Sequence, residues 1–507
     1  MTRSLFLAVA IILAATFLQA QSNSTGFITD SLDTYIDRAL ADWQIPGVAV
    51  VVVKDGEVVV SKGYGYLEEG KQEKVDENTL FMIASNTKAF TGTALAMLEN
   101  EGKCSFDDKV QKYLPGFKMK DPWVAEHLTL TDITSHRIGL ETFQGDFMYW
   151  ESDLSSEEVV EKFGMLDPMF DFRAKWGYCN AGFLLAGLCI EKISGLTWEQ
   201  FIRERLINPL EMNRTLVMTS EIDGATNLAS AHTMVEGKIQ VIPHCRIDNI
   251  APAASISSSV NDMSHWLIAL LDSGYYKGKE VIAYDAIKKA QYPRSIIRKA
   301  GHPFNTVHYS LYGMGWDLLD YQGREVVSHT GGVDGFVTSV TLLPEENLGV
   351  VVLTNTDANG FYQALKWEII DSYLGLPYRD YSRVYKARFQ RGIDQNMAAL
   401  ASWRDSARMK PELPLKLNQF EGKYENEVYG WAELKTQGDF LVLTLEHHPD
   451  LTGKLEYMGN NQFLCTYSHP MWGIKVFPFV IEDKKVRSFT LSVADFLEFT
   501  TYDFVKE

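Results

Sequence analysis

The sequence predicts an α+β domain, an antiparallel sheet packed with helices, followed by a separate small all-β barrel domain. Three observations carry that reading. Strand-like apolar runs stand near residues 47–60 and again near 325–355, helical patterns fill the chain between them, and after residue 414 only short alternating segments and turn residues occur. Strands at both ends of a segment with helices between suit one sheet assembled from distant parts of the chain.

Taken in order, Ile28 to Trp43 carries Leu32, Tyr35, Ile36 and Leu40 at helical spacing. Gly47 to Val53 is an apolar β run, and the turn Asp55-Gly56 joins it to Val58-Val59-Val60, a hairpin pattern. A long helix is predicted from about Ser85 to Glu101, with further helices at Ala181 to Ile193, Trp198 to Leu206 and Asp262 to Leu271, the last capped by Asn261. Glu325 to His329, Phe336 to Leu343 and Gly349 to Leu353 read as strands separated by Gly or Pro turns. Residues 360 to 412 are helical and increasingly charged, and Glu412-Leu413-Pro414 marks a linker. Gly430 to Leu434, Phe440 to Leu445 and Arg487 to Val493 are short alternating segments between Gly, Asn and Pro turns, the pattern of an all-β unit. Within that unit Tyr429, Trp431, Tyr467 and Trp472 are candidate contacts or core residues; if the unit gates access to the site, removing it near Pro414 is expected to change substrate preference more than stability.

The 507-residue length calls for more than one domain. With 48 Lys plus Arg against 66 Asp plus Glu, the net charge of −18 argues against a nucleic-acid partner, because phosphate binding needs a basic face. Residues 1–20 read as a signal peptide: Arg3 precedes the uncharged apolar run Leu5 to Leu18, and Ala20 is a small residue suited to cleavage. The expectation is an exported protein, periplasmic or secreted, with no stable membrane span after cleavage. The five cysteines, Cys104, Cys179, Cys189, Cys245 and Cys465, are odd in number and widely spaced, which is neither a disulfide framework nor a zinc pattern.

Three short motifs carry chemistry. In Ser85-Asn86-Thr87-Lys88 a serine and a lysine three apart lie on one face at the start of a helix. A serine hydroxyl needs a base, and a buried Lys88 can serve as one because desolvation lowers its pKa. In Tyr178-Cys179-Asn180 a phenol near Lys88 can shuttle a proton, and the Asn180 amide can orient Lys88 or hold a substrate carbonyl. In His329-Thr330-Gly331-Gly332 a strand enters a glycine turn that lets substrate approach the backbone, and the Gly332 and Ser85 N–H groups can form an oxyanion hole. A chain of this composition yields about two S-x-x-K matches by chance, so the order of all three motifs, each in fitting local structure, is what counts. Tyr424-Glu425-Asn426 repeats the Y-x-N pattern in the β unit and reads as accidental.

The set S-x-x-K, Y-x-N, H-T-G resembles penicillin-binding proteins and class C β-lactamases, a group that includes D-Ala-D-Ala carboxypeptidases, D-amino-acid peptidases and esterases. Ile133-Thr134-Ser135-His136-Arg137-Ile138-Gly139-Leu140 is similar to the family's "LLTHTSGL" segment, with Arg137-Ile138 replacing the usual pair, and Tyr312-Gly313-Met314-Gly315-Trp316 also matches in type. The tail, with Phe420-Glu421-Gly422-Lys423-Tyr424, is similar to a lipocalin-like β domain that follows such hydrolases. The resemblance divides the chain into residues 21–375 as hydrolase domain, 376–414 as helical linker and 415–507 as lipocalin-like β-barrel. It implies Ser85 as nucleophile, Lys88 and Tyr178 as bases, Asn180 as positioning residue and His329, Thr330, Gly331 and Gly332 on the substrate-facing strand. It implies an acyl-enzyme that water resolves, with no metal and no cofactor. The expected substrates are peptides of D-amino-acid type or small esters. The family's class C β-lactamases usually carry Lys where this chain has His329, which argues against efficient β-lactam hydrolysis. The reading outside enzymes is a non-catalytic binder or sensor of cell-wall peptide.

Overall fold

The computed structural model describes residues 26–507; the signal segment at 1–20 lies outside them. The first part of the chain forms an eight-stranded antiparallel sheet. Its strands are β1 (Gly47–Lys54), β2 (Glu57–Gly65), β3 (Ser295–Lys299), β4 (Tyr309–Tyr312), β5 (Asp317–Tyr321), β6 (Arg324–Val333), β7 (Phe336–Leu343) and β8 (Leu348–Thr354). Their order across the sheet is β2-β1-β8-β7-β6-β5-β4-β3, so the N-terminal hairpin pairs with the last strand of the domain. Asp55 and Gly56 both take positive φ, 54° and 80°, the geometry of a two-residue hairpin turn matched to strand twist.

The apolar run of β1 has no polar alternation because both faces of the sheet are covered. Ala49, Val51 and Val53 join one core, while Val48, Val50 and Val52 join another. Helix α1 (Leu32–Trp43) covers the second face with Leu32, Tyr35, Ile36, Ala39 and Trp43, a single stripe at helical spacing. Helix α2 (Thr87–Asn100) lies inside the first core and is buried on every side from Thr87 to Leu98. Around it stand the short helix α3 (Asp146–Tyr149), α4 (Asn180–Ser194) and α5 (Val260–Leu271). The cap of α5 is Ser259, whose hydroxyl accepts the Asp262 N–H at 3.2 Å, and not Asn261. Asn261 is already inside the helix and spends its amide on Asn78. Helix α6 (Phe361–Tyr373) backs the second face, and α7 (Tyr381–Arg408) runs through the charged stretch before the tail.

The tail is a closed barrel of eight antiparallel strands between Gly422 and Lys506. Its inward residues are aromatic and aliphatic, with Phe489 stacked on Phe504 and Phe479 at 5.4 and 5.2 Å. Tyr424 is one of these core residues and donates to the Phe420 carbonyl, and Asn426 pins the turn before Tyr429, so this second Y-x-N is structural.

The barrel does not hang free. Phe147 of α3 stacks on Tyr429 at 4.7 Å and on His448 at 5.5 Å, with Trp472 and Tyr502 completing the nest. Tyr429 and Trp472 are therefore buried junction residues, whereas Trp431 is only partly covered. His448 bonds the Trp150 carbonyl at 2.9 Å, and Lys162 donates to the carbonyls of Val428 and Tyr429 at 3.1 and 2.9 Å. Removal of the tail would strip a buried aromatic junction, so a cut near Pro414 is expected to lower stability whatever it does to substrate preference. All five cysteines are free thiols, four of them buried. Among the described residues no single helix is long and apolar enough to cross a membrane.

Candidate functional site

Ser85 stands in a 3₁₀ turn, Ala84–Asn86, that leads into α2. Ala84 takes φ +50°, a left-handed conformation rare for a residue with a side chain, and it turns the chain so that Ser85 alone of its turn is half-exposed. Strand β6 lies directly over this turn. A β-carbon on Gly331 would fall 2.1 Å from the Ile83 carbonyl oxygen, so only glycine allows the sheet and the turn to meet this closely. Thr338 of β7 and Asn86 tie the same carbonyl down at 3.1 and 3.0 Å.

Lys88 follows one turn later and is fully buried. Its Nζ contacts Ser85 Oγ at 3.0 Å, Asn180 Oδ1 at 2.6 Å and the Ala253 carbonyl at 2.9 Å. Burial pulls its pKa down to about 7, against a smaller opposite pull from Asp146. The two carbonyl-type partners accept N–H and nothing else. A neutral Lys88 amine therefore directs its two hydrogens to Asn180 and Ala253 and its lone pair to the Ser85 hydroxyl.

Tyr178 precedes α4 and lines the same cavity as Ser85, and its ring lies 4.7 Å from Lys88 Nζ. Burial raises its pKa well above that of a free phenol. Behind it, the His136 ring packs at a tilt with its centroid 4.4 Å away and accepts the Cys179 N–H at 3.0 Å, which holds the tyrosine loop in place. The neighbouring Arg137 pairs with the buried Asp132 at 2.9 Å, alongside Arg173 at 2.6 Å. The departure from the "LLTHTSGL" pattern is thus absorbed by an ion-pair cluster.

Ser85, Tyr178, Asn180, His329, Thr330, Gly331 and Gly332 all line one cavity of about 470 Å³, with Lys88 beneath it. His329 is buried, with the Tyr312 hydroxyl at 2.9 Å from Nε2 and the Thr330 carbonyl at 2.6 Å from Nδ1. A carbonyl only accepts, so Nδ1 carries the hydrogen and Nε2 takes one from Tyr312. Burial and nearby Lys88 push its pKa down to about 3. The imidazole is neutral and both nitrogens are engaged inside the protein. Among the described residues no lysine or arginine lines the cavity; its acidic side chains are Asp146, Asp317 and Asp495.

Sequence motifs did not point to four residues that complete the site. Asp146 of α3 accepts the Asn180 amide at 2.6 Å and the Tyr149 hydroxyl, and burial pushes its pKa up to about 8. Asp495, Phe496 and Leu497 come from the barrel, in the loop joining strands Lys485–Leu491 and Tyr502–Lys506. The only signal in the sequence was the run of apolar residues Val493, Ala494, Phe496, Leu497 and Phe499 in a loop between strands. Behind the cavity wall, Trp150 donates to Asp334 at 3.1 Å. Asp334, Glu151 and Cys245 place potential ligand atoms within 4.8 Å of one another, the one such group among the described residues. Burial pushes both carboxyls upward in pKa, and the charge of Asp334 adds to the rise at Glu151, so the pair retains a proton.

The Beta-lactamase family model matches residues 32–374. Protein flp of Staphylococcus aureus strain MW2 is 29% identical over 344 residues, covering 64% of this chain and 63% of that protein. The unguisins hydrolase ungD' of Aspergillus campestris is 29% identical over 361 residues, covering 67% of this chain and 64% of its own length. The chain thus spans less than two thirds of the length of these relatives. Among solved structures, the octameric penicillin-binding protein homologue from Pyrococcus abyssi superposes with a TM-score of 0.59 at 21% identity, covering 94% of this chain and all of that one. SurE superposes with a TM-score of 0.56 at 17% identity, covering 92% of this chain and 98% of its own. The chain belongs to the beta-lactamase family and has the beta-lactamase and transpeptidase fold followed by a closed eight-stranded barrel.

Proposed function

We propose that the protein is an exported serine hydrolase that cleaves acyl compounds through an acyl-enzyme on Ser85. The observation that carries this reading is the position of the buried Lys88 Nζ, 3.0 Å from Ser85 Oγ and held by Asn180 Oδ1 and the Ala253 carbonyl, where burial pulls its pKa down to about 7. Lys88 takes the Ser85 proton as Oγ attacks the substrate carbonyl carbon. The N–H groups of Ser85 and Gly332 stabilise the oxyanion. As the tetrahedral intermediate collapses, the bond to the leaving group breaks, and the proton passes through Tyr178 and Lys88 to that group. Water then attacks the ester on Ser85, losing its proton to the same pair, and the acid is released with Ser85 restored.

The cavity's chemistry supports neutral or amine-bearing substrates: peptides or amides of D-amino-acid type, or small esters. With no cationic side chain in the lining and His329 neutral, nothing there pairs with a substrate carboxylate, which argues against β-lactams as good substrates. The name of the Aspergillus relative, a hydrolase, is in keeping with an enzyme. The residue 1–20 segment supports export. The test is turnover of D-amino-acid amides, short-chain p-nitrophenyl esters and a chromogenic cephalosporin by wild type and Ser85→Ala. Turnover of amides or esters that vanishes in a folded Ser85→Ala supports the reading; turnover that persists refutes it. A Ser85 adduct that forms with these substrates and is never released would instead support the sensor reading.

A further inference from the structure

Glu498 sits in the barrel loop, yet its carboxyl is almost wholly buried against the catalytic domain, at 1% exposure. One oxygen accepts the Gly145 N–H at 3.0 Å and the other accepts the Phe147 N–H at 2.8 Å. These are free donors at the first turn of α3, which has no local side-chain cap. The Tyr502 hydroxyl, at 3.0 and 3.1 Å, and the Thr500 hydroxyl hold the carboxyl from the barrel side. Between the two gripped N–H groups stands Asp146, which bonds Asn180 at 2.6 Å; Asn180 bonds Lys88 at 2.6 Å, and Lys88 bonds Ser85 at 3.0 Å. An unbroken chain of hydrogen bonds and one short helix thus runs from the barrel to the serine.

We propose that Glu498 is a positioning residue for the Ser85–Lys88 pair, acting through α3, Asp146 and Asn180, so that the barrel is a working part of the active site. This rests on the reading of Ser85 as nucleophile. The chain also has an electrical side. The charged and titratable groups facing Asp146 are Glu498 and Tyr502 from the barrel, Lys88 from α2, Tyr149 from its own helix, and Tyr178 and Cys179 before α4. Negative charge on Glu498 raises the Asp146 pKa, and a protonated Asp146 no longer favours the ammonium form of Lys88. Neutralising Glu498 therefore makes Asp146 more acidic and Lys88 more basic.

The experiment uses the full chain as wild type, Glu498→Gln, Tyr502→Phe and Lys162→Met. The rate at which a fluorophosphonate probe labels Ser85 is followed against pH, beside kcat and KM for p-nitrophenyl acetate. Glu498→Gln is expected to slow labelling about tenfold or more near neutrality and to move the half-point of the pH profile upward by about one unit, with KM little changed. Tyr502→Phe, which removes one donor to Glu498 and keeps the ring, should shift the profile the same way by less. Lys162→Met loosens the domain junction elsewhere and should leave the profile alone. A folded Glu498→Gln with the wild-type rate and profile overturns the inference, and so does an equal effect from Lys162→Met. Should Glu498→Gln not fold, Tyr502→Phe decides, an unchanged profile counting against. Wild type that does not label at Ser85 refutes the nucleophile itself, and the inference falls with it.

Discussion

Phe496 of the barrel stands across the cavity from Gly332 of β6, its ring 3.4 Å from where a β-carbon on that glycine would lie. Phe496 is 38% exposed, an apolar ring at the rim of the cavity rather than in a core. It narrows the space beside the strand that faces Ser85. Replacing it with alanine should widen that space with little loss of stability. The expected outcome is a shift in kcat/KM towards longer acyl chains by about tenfold, in line with what a few methylenes contribute in an apolar pocket. The check is a series of p-nitrophenyl esters from acetate to octanoate, and an unchanged chain-length profile would show that Phe496 does not bound the acyl pocket.

Lys88 predicts how activity depends on pH. An amine can act as a base only when neutral, and burial lowers the pKa of Lys88 to about 7. Below that value Lys88 is an ammonium and cannot take the Ser85 proton. The kcat/KM of wild type should therefore rise with pH through about 7 and then level off. Lys88→Ala should lose activity by about 10²–10⁴-fold, and Lys88→Arg should not restore it, because a guanidinium stays protonated. A wild-type profile that falls with rising pH across this range would remove Lys88 from the role.

Much of the site was legible because its parts lie close in the chain or at fixed offsets. Ser85 and Lys88 share a helix turn, and Tyr178 and Asn180 flank the start of α4. The β1–β2 hairpin could be read from Asp55-Gly56 because a two-residue turn with both φ values positive restricts residue choice. What stayed hidden was held by contacts that no local pattern announces. Asp146 and Glu498 are lone acidic residues among aromatic neighbours, and neither sits in a motif. The Asn180 amide reaches Asp146 through the fold of the first domain, and the α3 N–H groups meet Glu498, about 350 residues away in sequence, only when the barrel docks. His329 shows the other limit. Sequence places it on the strand beside the serine, but that both its nitrogens are satisfied follows only from Tyr312 and the Thr330 carbonyl.

That burial of His329 makes the fold acid-sensitive. Its pKa falls from 6.5 to about 3 in the folded chain. Between those values the unfolded chain binds a proton that the folded chain does not, so this residue's contribution to stability is lost as pH falls. Asp146 and Glu498 act in the opposite sense: their raised values, about 8 and about 7, mean the folded chain keeps protons and loses stability as pH rises above the ordinary carboxyl range. His329→Gln retains a donor for Thr330 and an acceptor for Tyr312 but cannot titrate. Thermal midpoints of both proteins from neutral to acid pH should converge as acid is added, the variant losing less. Parallel curves would mean that protonation of His329 is not what the acid acts on.

The junction around Phe147 predicts that the two domains melt as one. Phe147 is fully buried between Tyr429, His448, Trp472 and Tyr502 of the barrel, on the same short helix that carries Asp146. Phe147→Ala removes the ring from this nest and leaves a cavity, at a cost of about 3–5 kcal/mol. The loss falls on both sides of the junction, because every ring that packs on Phe147 comes from the barrel. Wild type should therefore unfold in one transition when followed by tryptophan fluorescence from both domains, and Phe147→Ala should either shift that transition sharply or split it in two. Chain cut near Pro414 should be unstable or aggregate, since it exposes Phe147 and strips the Glu498 contacts from α3. A stable, soluble fragment ending near Pro414, with the wild-type unfolding midpoint, would show that the catalytic domain stands without its barrel.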